Sequence, residues 1–459
     1  MNPLIAAIIY LGFVAYLLRR DFRERPNVTS ALWIPSAWLF IMCSRPVSTW
    51  LGMAGLPGMR GTLEDGSPVD AAVFALLIFL GFRVLVRRRI DMQDILRNNP
   101  TLTLFLLYCL LSILWSDFQF VAFKRWIKIL GHPIMALVLL TEPNREEAMM
   151  RMIRRCGFIL MPVSVLFIKY FPDWGRGYDK WTGAQGFMGI TLDKNALGYD
   201  CFIVGLVFFW QFLKVLKWEK GRARRDELIL NGIFLAMTGW LMSMAQSSTA
   251  MVAWLVAMAG VWVLGFKFVN PRRLGFYLVA LVAVIGVLQL TIDVYGRFLH
   301  ILGKDPTLTD RTLIWKAVLE IPNNPVIGTG FESFWLGERL QTLWAQFWFE
   351  PNQAHNGYLE TYLNLGWIGL IMMLALIFAA YGKGVKDIVR NGKVTWGRFR
   401  VGFLVGFVLY NWTEATFKAI HPVWFVFYII AMDYPWTTDD SKWDSRVVAG
   451  RLDKTDYEF

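Results

Sequence analysis

Apolar blocks of about 16–22 residues recur along the chain, and each is long enough to cross the hydrocarbon core of a bilayer as a helix. Short charged or Pro/Gly-rich segments separate the blocks. Barrel strands alternate apolar and polar residues, whereas these blocks are longer and uniformly apolar. The pattern therefore predicts an all-α integral membrane protein.

These blocks supply thirteen candidate spans, so we expect about 12–13 transmembrane helices. The candidate spans cover residues 3–18, 30–48, 70–87, 100–116, 125–141, 155–171, 195–213, 227–245, 249–268, 274–291, 357–381, 400–413 and 420–434. Four parts follow from them. Residues 1–291 hold transmembrane helices 1–10, residues 292–356 form a long loop with amphipathic helices, residues 357–434 hold the C-terminal transmembrane helices, and residues 435–459 form a tail.

The basic residues are unevenly shared between the two faces that these spans define. One face, which includes loops 214–226 and 382–400 and the tail, holds 32 of the 47 Lys and Arg residues. Cytoplasmic loops carry such an excess, so we predict that this face is inside and that loop 292–356 is outside. The net charge of +12 therefore indicates membrane topology, and nucleic acid is not an expected partner.

Residues that commonly hold metals or cofactors are scattered. The cysteines, all in or beside apolar blocks, are Cys43, Cys109, Cys156 and Cys201. The histidines are His132, His300, His355 and His421. No CxxC, Asp-x-Asp or Walker A spacing is present, so we expect neither a disulfide framework, nor a metal, nor a cofactor.

One histidine lies where chemistry is most plausible. His355 is followed by Asn356 at the predicted outer end of a helix that runs through Gly366 and Gly369. An imidazole near neutral pH is the usual general base. The alternative, to which the residues alone give about equal weight, is a histidine that caps or packs the loop.

Basic residues also lie near the predicted outer ends of spans. Arg311 falls in the first turn of a predicted loop helix, where free N–H groups favour an anion. Lys194 begins a span, and Lys124 and Arg125 break the inside-positive pattern. The simpler alternatives are a solvated Arg311 paired with Asp310, a snorkelling Lys194 and lipid headgroups beside the other two.

The region from Arg311 to Gly369 resembles the O-antigen ligase and polysaccharide polymerase superfamily. His355-Asn356, nine further residues and Gly366-x-x-Gly369 match a His-Asn-x9-Gly-x-x-Gly pattern of that family. The preceding block shares the outer-loop residues of the family, namely Arg311, Trp315, Pro325, Gly328, Gly330 and Phe331. Lys194-Asn195, at the start of a predicted span, also fits the resemblance to this family.

Two further segments refine this resemblance. Ser44-Arg45-Pro46 is more similar to the exopolysaccharide polymerase branch than to the lipid A–core ligase branch. The family often has a Ser-Arg or Ser-Lys pair near residues 245–250, whereas this chain reads Gln246-Ser247-Ser248-Thr249. Either Lys194 or the 124–128 cluster supplies that missing charge, or the correspondence slips there.

The resemblance implies a GT-C-like glycosyltransferase in the bacterial inner membrane, with its active site facing the periplasm. It implies an undecaprenyl-pyrophosphate-linked glycan donor, a glycan or lipid-linked acceptor, inversion at the sugar carbon, and no metal. Membrane lipid surrounds such an enzyme, and a chain-length regulator protein is a candidate partner. The implied catalytic residues are His355 and Asn356, and the implied pyrophosphate-binding residues are Arg311, Lys194, Lys124 and Arg125.

Three functions fit these expectations. A polymerase joins lipid-linked repeat units to one another, and an O-antigen ligase transfers the finished glycan to lipid A–core. A lipid-linked glycan flippase or other transporter is the alternative from another class. Transporters place charged groups at mid-membrane, whereas the polar residues of this chain gather in the outer loops, which favours an enzyme.

Overall fold

The computed structural model describes residues 2–24, 26–56, 66–178, 183, 185–273, 275–277, 311–392 and 396–434. All of the predicted span 274–291 except residues 275–277, the first part of the long loop with His300 and Asp310, and the tail 435–459 lie outside the described residues.

Helices make up most of the described chain. The helices before the first outer strand are α1 (Pro3–Arg23), α2 (Trp33–Met42), α3 (Val47–Met53), α4 (Pro68–Arg87), α5 (Met92–Asn98), α6 (Pro100–Leu111), α7 (Gln119–Leu140), α8 (Arg145–Tyr170) and α9 (Pro172–Gly175). Strands β1 (Arg176–Tyr178) and β2 (Gln185–Phe187) form an antiparallel pair. The later helices are α10 (Lys194–Val215), α11 (Arg222–Ala245), α12 (Ser248–Val263), α13 (Arg311–Glu320), α14 (Gly337–Gln346), α15 (Gly357–Asn391), α16 (Trp396–Thr413) and α17 (Pro422–Ala431).

Local sequence signals fix where many of these helices begin. A side chain that accepts a hydrogen bond from the first turn caps α1, α4, α5, α8, α10, α15 and α17. Proline occupies one of the first two positions of α1, α4, α6, α9 and α17, where its missing N–H costs nothing. The predicted apolar blocks between 30 and 268 and between 357 and 434 are thus occupied by helices.

The all-α membrane class is confirmed. Among the described residues, α1, α4, α10, α11 and α15 are each long and apolar enough to cross a membrane. Residues 92–115, which bend by 98° between α5 and α6, make a sixth candidate if the pair counts as one span. Large apolar side chains on α1 and α4, such as Leu4 and Phe79, are exposed, as expected where a helix faces lipid. The total of 12–13 spans stays a prediction.

Helix α17 lies in the middle of the main core. All ten of its residues are buried, and Trp424 stacks on Phe427 with ring centroids 4.7 Å apart. Phe407 of α16 stacks on the same Phe427 at 4.6 Å. The short segment 414–421 that joins α16 to α17 is therefore held between two packed helices.

Charged side chains gather at two opposite ends of the helices. At one end, Asp21 of α1 accepts hydrogen bonds from Arg151 and Arg155 of α8. The same end holds Glu227, which pairs with arginines of α1 and α8. We name it the ion-pair end. The other end, where α10, α13, α15 and α17 begin, is named the histidine end after His355.

Helix α15 is broken near its start at Gly366, which has φ +65° and ψ −166°. The break frees backbone groups of α15, and the loop before α14 bonds to them: Gly330 N–H donates to Asn364 O (2.8 Å), and Trp367 N–H donates to Pro325 O (2.8 Å). A Cβ on Gly366 would lie 2.2 Å from Val326 O. The glycine of the family pattern thus permits direct backbone contact between the outer loop and α15.

Candidate active site

Glu414 is the residue on which the predicted site residues converge. It follows directly after α16, and its side chain is only 9% exposed. His355 Nδ1 lies 3.2 Å from Glu414 Oε2, and Arg311 Nη2 lies 2.8 Å from Glu414 Oε1. The arginine and the histidine, 44 positions apart in the sequence, therefore share one carboxylate.

The environment of Glu414 keeps its carboxyl ionised. Burial raises the pKa of this group, but the hydrogen bond to His355 and the charge of Arg311 outweigh burial and lower the pKa to about 2. An ionised carboxylate can only accept hydrogen bonds. His355 Nδ1 must therefore carry the proton of this hydrogen bond and donate it to Glu414.

The backbone of His355 adopts a conformation that is uncommon for residues other than glycine. Its φ is +49°, in the left-handed region that most side chains avoid at a cost of about 1–2 kcal/mol. Surrounding bonds hold it there. Trp315 Nε1 donates to Ala354 O (2.7 Å), and Gly357 N–H donates to Glu414 O (3.0 Å). Strain of this kind is common at functional sites.

Asn356 caps α15. Its Oδ1 accepts hydrogen bonds from the backbone N–H groups of Tyr358 and Leu359, each at 3.0 Å. An asparagine at this position satisfies two N–H groups that the helix itself leaves unpaired. Asn356 thus fixes the start of α15 and, with it, the residue immediately before, His355.

Arg311 is the first residue of α13, as the sequence predicted. Besides its contact with Glu414, its guanidinium donates to the carbonyl oxygen of Thr413. Its side chain remains 14% exposed. The predicted alternative, a pair with Asp310, lies outside the described residues. Arg311 is partly buried and tied to the end of α16.

Lys194 begins α10 on the same side of the molecule. Its neighbour Asp193 caps α10 and lies within electrostatic range of both Glu414 and His355. One turn later, a Cβ on Gly198 would lie 3.0 Å from the Cβ of Ser247. The segment that lacks the expected cation is therefore packed against the first turns of α10, which favours Lys194 over the 124–128 cluster as its substitute.

Lys124 and Arg125 lie in the first two turns of α7 and belong to a different set of contacts. Lys124 Nζ is 4.9 Å from the centre of the Phe120 ring. Arg125 Nε is 3.9 Å from Glu332 Oε2, and its guanidinium also donates to Glu332 O. The predicted anionic partner of Arg125 is thus a side chain of this protein.

Ser44-Arg45-Pro46 holds an outer loop in place. The buried Arg45 guanidinium donates to Thr191 O (3.1 Å) and to Trp174 O. It thereby joins the end of α2 to the segment between α9 and α10. Arg45 is engaged with carbonyl oxygens of the protein itself, which is a structural role.

His421 offers a comparison for His355. It caps α17 through Nδ1, which accepts from Val423 N–H (3.2 Å), and its ring packs edge-on against Tyr199 with centroids 4.7 Å apart. This histidine is a packed cap, the role that the sequence left open for His355.

Comparison with known proteins connects these residues to a family. A family model described as O-antigen ligase matches residues 232–374, which include α13, His355 and the Gly366 break. The resemblance to the O-antigen ligase family is confirmed. The exopolysaccharide production protein ExoQ of Rhizobium meliloti (strain 1021) is 24% identical over 319 residues, covering 66% of this chain and 70% of ExoQ.

The O-antigen ligase pattern accounts for several contacts but not for Glu414. Trp315 binds the carbonyl before His355, and Phe331 N–H donates to Ser112 Oγ (3.0 Å), so both motif residues position the loop. Sequence reasoning missed Glu414. In the sequence, Glu414 is marked only as an isolated carboxylate directly after an apolar block, in Asn411-Trp412-Thr413-Glu414.

Proposed function

We propose that this protein is a membrane glycosyltransferase that transfers undecaprenyl-pyrophosphate-linked glycan on the periplasmic face of the bacterial inner membrane. The similarity to the O-antigen ligase family and to ExoQ supports a role in polysaccharide biosynthesis. The observation that carries the proposal is the sharing of Glu414 between His355 and Arg311.

His355 is the proposed general base. With Nδ1–H held by Glu414, the Nε2 lone pair can accept the proton of an acceptor hydroxyl. The hydroxyl oxygen then forms a bond to the sugar carbon as the bond from that carbon to the pyrophosphate breaks, with inversion. Glu414 is a positioning residue, since it sets the tautomer and orientation of the imidazole.

The leaving pyrophosphate is the proposed ligand of Arg311 and Lys194. Both residues begin a helix at the histidine end, where the helix dipole also favours an anion. A guanidinium can bind phosphate oxygens through two parallel hydrogen bonds. Such preorganised stabilisation of a leaving group is typically worth about 10²–10³ in rate.

The polymerase reaction is favoured over transfer to lipid A–core. ExoQ is an exopolysaccharide production protein, and its similarity extends over two thirds of this chain. In a polymerase the donor and the acceptor are both lipid-linked glycans, so lipid-linked repeat units alone are a sufficient substrate for the reaction.

The test is an assay of the purified protein in nanodiscs with lipid-linked repeat units as the only substrate. We expect products longer than one repeat unit, without added nucleotide sugar. Product formation only when lipid A–core is supplied would identify a ligase instead. Movement of the lipid-linked units across vesicles without glycosidic bond formation would identify a transporter and refute the proposal.

A further inference from the structure

A cavity of about 300 Å³ lies between α7 and α15, near the histidine end. Its charged lining residues are Arg125, Glu332, Glu360 and Lys418. Aromatic side chains, among them Trp335 and Phe417, also line it. Neither His355 nor Arg311 lines this space, which we name the α7–α15 cavity.

The α7–α15 cavity shares a wall with the loop that carries His355. Ala354 N–H, one residue before the histidine, donates to Glu360 Oε1 (2.5 Å). Lys418 Nζ donates to Gln353 Oε1 (2.5 Å), two residues before the histidine. Two lining side chains of the cavity are therefore hydrogen-bonded to the loop that carries the imidazole.

The charges of the cavity are balanced and internally paired. Arg125 pairs with Glu332, whose Oε1 also accepts from Ala419 N–H (2.7 Å). The buried Glu360 accepts from Trp335 Nε1, at 3.0 and 2.9 Å to its two oxygens. The four lining charges sum to zero, so this set of residues presents no excess positive charge to the anionic part of the lipid-linked donor.

The same residues suit an uncharged polyhydroxyl ligand. Carboxylates accept hydrogen bonds from hydroxyl groups, and the guanidinium and ammonium groups donate to them. Trp335 and Phe417 add apolar ring surface, which covers the C–H faces of a pyranose. A volume of about 300 Å³ is at the small end of ligand sites, which limits the occupant to about one or two sugar rings.

We propose that the α7–α15 cavity binds the terminal, uncharged sugar of the acceptor glycan and thereby presents its hydroxyl to His355. This inference rests on the proposed function. It places Arg125 on the acceptor side, apart from the pyrophosphate-binding residues with which its sequence had grouped it. The donor, held by Arg311 and Lys194, and the acceptor, held by the α7–α15 cavity, then approach His355 from two different sets of residues.

The test compares binding of two probes to the protein in nanodiscs by calorimetry. One probe is the neutral oligosaccharide released from the producing strain's own polysaccharide, and the other is inorganic pyrophosphate. The variants are Trp335→Phe, which removes the indole N–H that holds Glu360, and Arg125→Gln. Trp344→Phe is the matched control, because its indole donates to Pro351 O (3.0 Å) in the same loop without lining the cavity.

We expect the affinity for the oligosaccharide to fall at least about tenfold in both cavity variants, the effect of losing one good polar contact, while Trp344→Phe binds like wild type. Pyrophosphate affinity should not change. Oligosaccharide binding at wild-type strength in both variants, or loss of pyrophosphate binding instead, would overturn the inference. If the oligosaccharide results hold but lipid-linked units are never joined, the cavity binds sugar and the proposed function fails.

Discussion

The two ends of the helical bundle both join arginines to buried carboxylates, but they use the carboxylates differently. At the ion-pair end, Asp21 is shared by Arg151 (2.6 Å) and Arg155 (2.7 Å), so one anion is held between two permanent cations. At the histidine end, Glu414 is shared by one guanidinium and one imidazole. Only the second arrangement contains an imidazole, whose two ring nitrogens can donate one hydrogen bond and accept another.

Cavity volume alone would favour the ion-pair end as the candidate site. The ion-pair end borders a space of about 1040 Å³, whereas the α7–α15 cavity measures about 300 Å³. The lining cations of the larger space are Arg20, Arg151, Arg154 and Lys214. Each of them is paired with a carboxylate of this protein. The imidazole bonded to an ionised carboxylate therefore identifies the candidate site better than the volume of a cavity does.

The largest effect on activity is expected from His355. His355→Ala removes the general base and should reduce turnover by about 10²–10⁴-fold. His355→Asn is the second variant, because asparagine tolerates the left-handed backbone and the protein should fold normally. Polymer formed per folded molecule is the quantity to measure.

The control for His355 is His421, the other described histidine at the histidine end. His421→Asn keeps a capping side chain on α17 but loses the ring contact with Tyr199. We expect less folded protein and unchanged turnover per folded molecule. Equal loss of specific activity in the two variants would mean that His355 is a packed cap as well.

Arg311 should have the next largest effect. Arg311→Ala removes a cation from the leaving group and should reduce turnover by about 10²–10³-fold while weakening binding of the lipid-linked donor. Arg311→Lys should restore only part of both, because an ammonium cannot form the two parallel bonds of a guanidinium. Full activity in Arg311→Lys would show that a point charge is sufficient.

Glu414→Gln should reduce turnover by about 10–100-fold, the loss typical when an orienting hydrogen-bond partner is removed. Combined with His355→Ala it should cause little further loss, since both changes affect one catalytic unit. Independent, multiplicative losses would contradict the positioning role.

The pH profile separates Glu414 from His355. The lowered pKa of Glu414 means that its contribution is complete above the usual pKa of a glutamate and is lost only as the pH falls towards about 2. Loss of activity between pH 7 and 5 therefore cannot come from protonation of Glu414, and Glu414→Gln should show the same relative loss over that range.

At the ion-pair end the expected effect is on stability alone. Asp21→Ala leaves Arg151 and Arg155 without their shared partner and should lower the free energy of unfolding by about 3–5 kcal/mol. Thermal unfolding in detergent measures this change. Turnover per folded molecule should match wild type, and a tenfold loss of turnover would remove the functional distinction between the two ends.

The smallest expected effect is that of a chelator. The sequence contains no Asp-x-Asp pair, and we expect the transfer reaction to proceed at an unchanged rate in EDTA. Loss of activity that a divalent ion restores would refute the metal-free reaction.

Much of the architecture could be predicted from the sequence because uniformly apolar blocks leave few alternatives to helices. The predicted block 195–213, for example, matches helix Lys194–Val215 within two residues. The helix break at Gly366 was not predicted, because it depends on contact with Pro325 and Val326, about 40 residues earlier.

The candidate site was predictable only in part. His355, Asn356 and Arg311 were identified because a family pattern or a helix start marks them. Glu414 and the separation of Arg125 from Arg311 depend on which helix ends meet in three dimensions, and no local spacing records that.

The histidine end should face outside and the ion-pair end inside, and cysteine labelling in intact cells tests this orientation. The four native cysteines are buried and are replaced to give a cysteine-free background. Trp348, 67% exposed in the loop before His355, and Lys220, exposed between α10 and α11, are then changed singly to cysteine.

A membrane-impermeant maleimide should label Trp348→Cys in intact cells and label Lys220→Cys only after the membrane is opened. Labelling of Lys220→Cys in intact cells, with Trp348→Cys protected until the membrane is opened, would reverse the topology. A lipid-linked periplasmic substrate could not then reach His355, and the proposed reaction would be excluded.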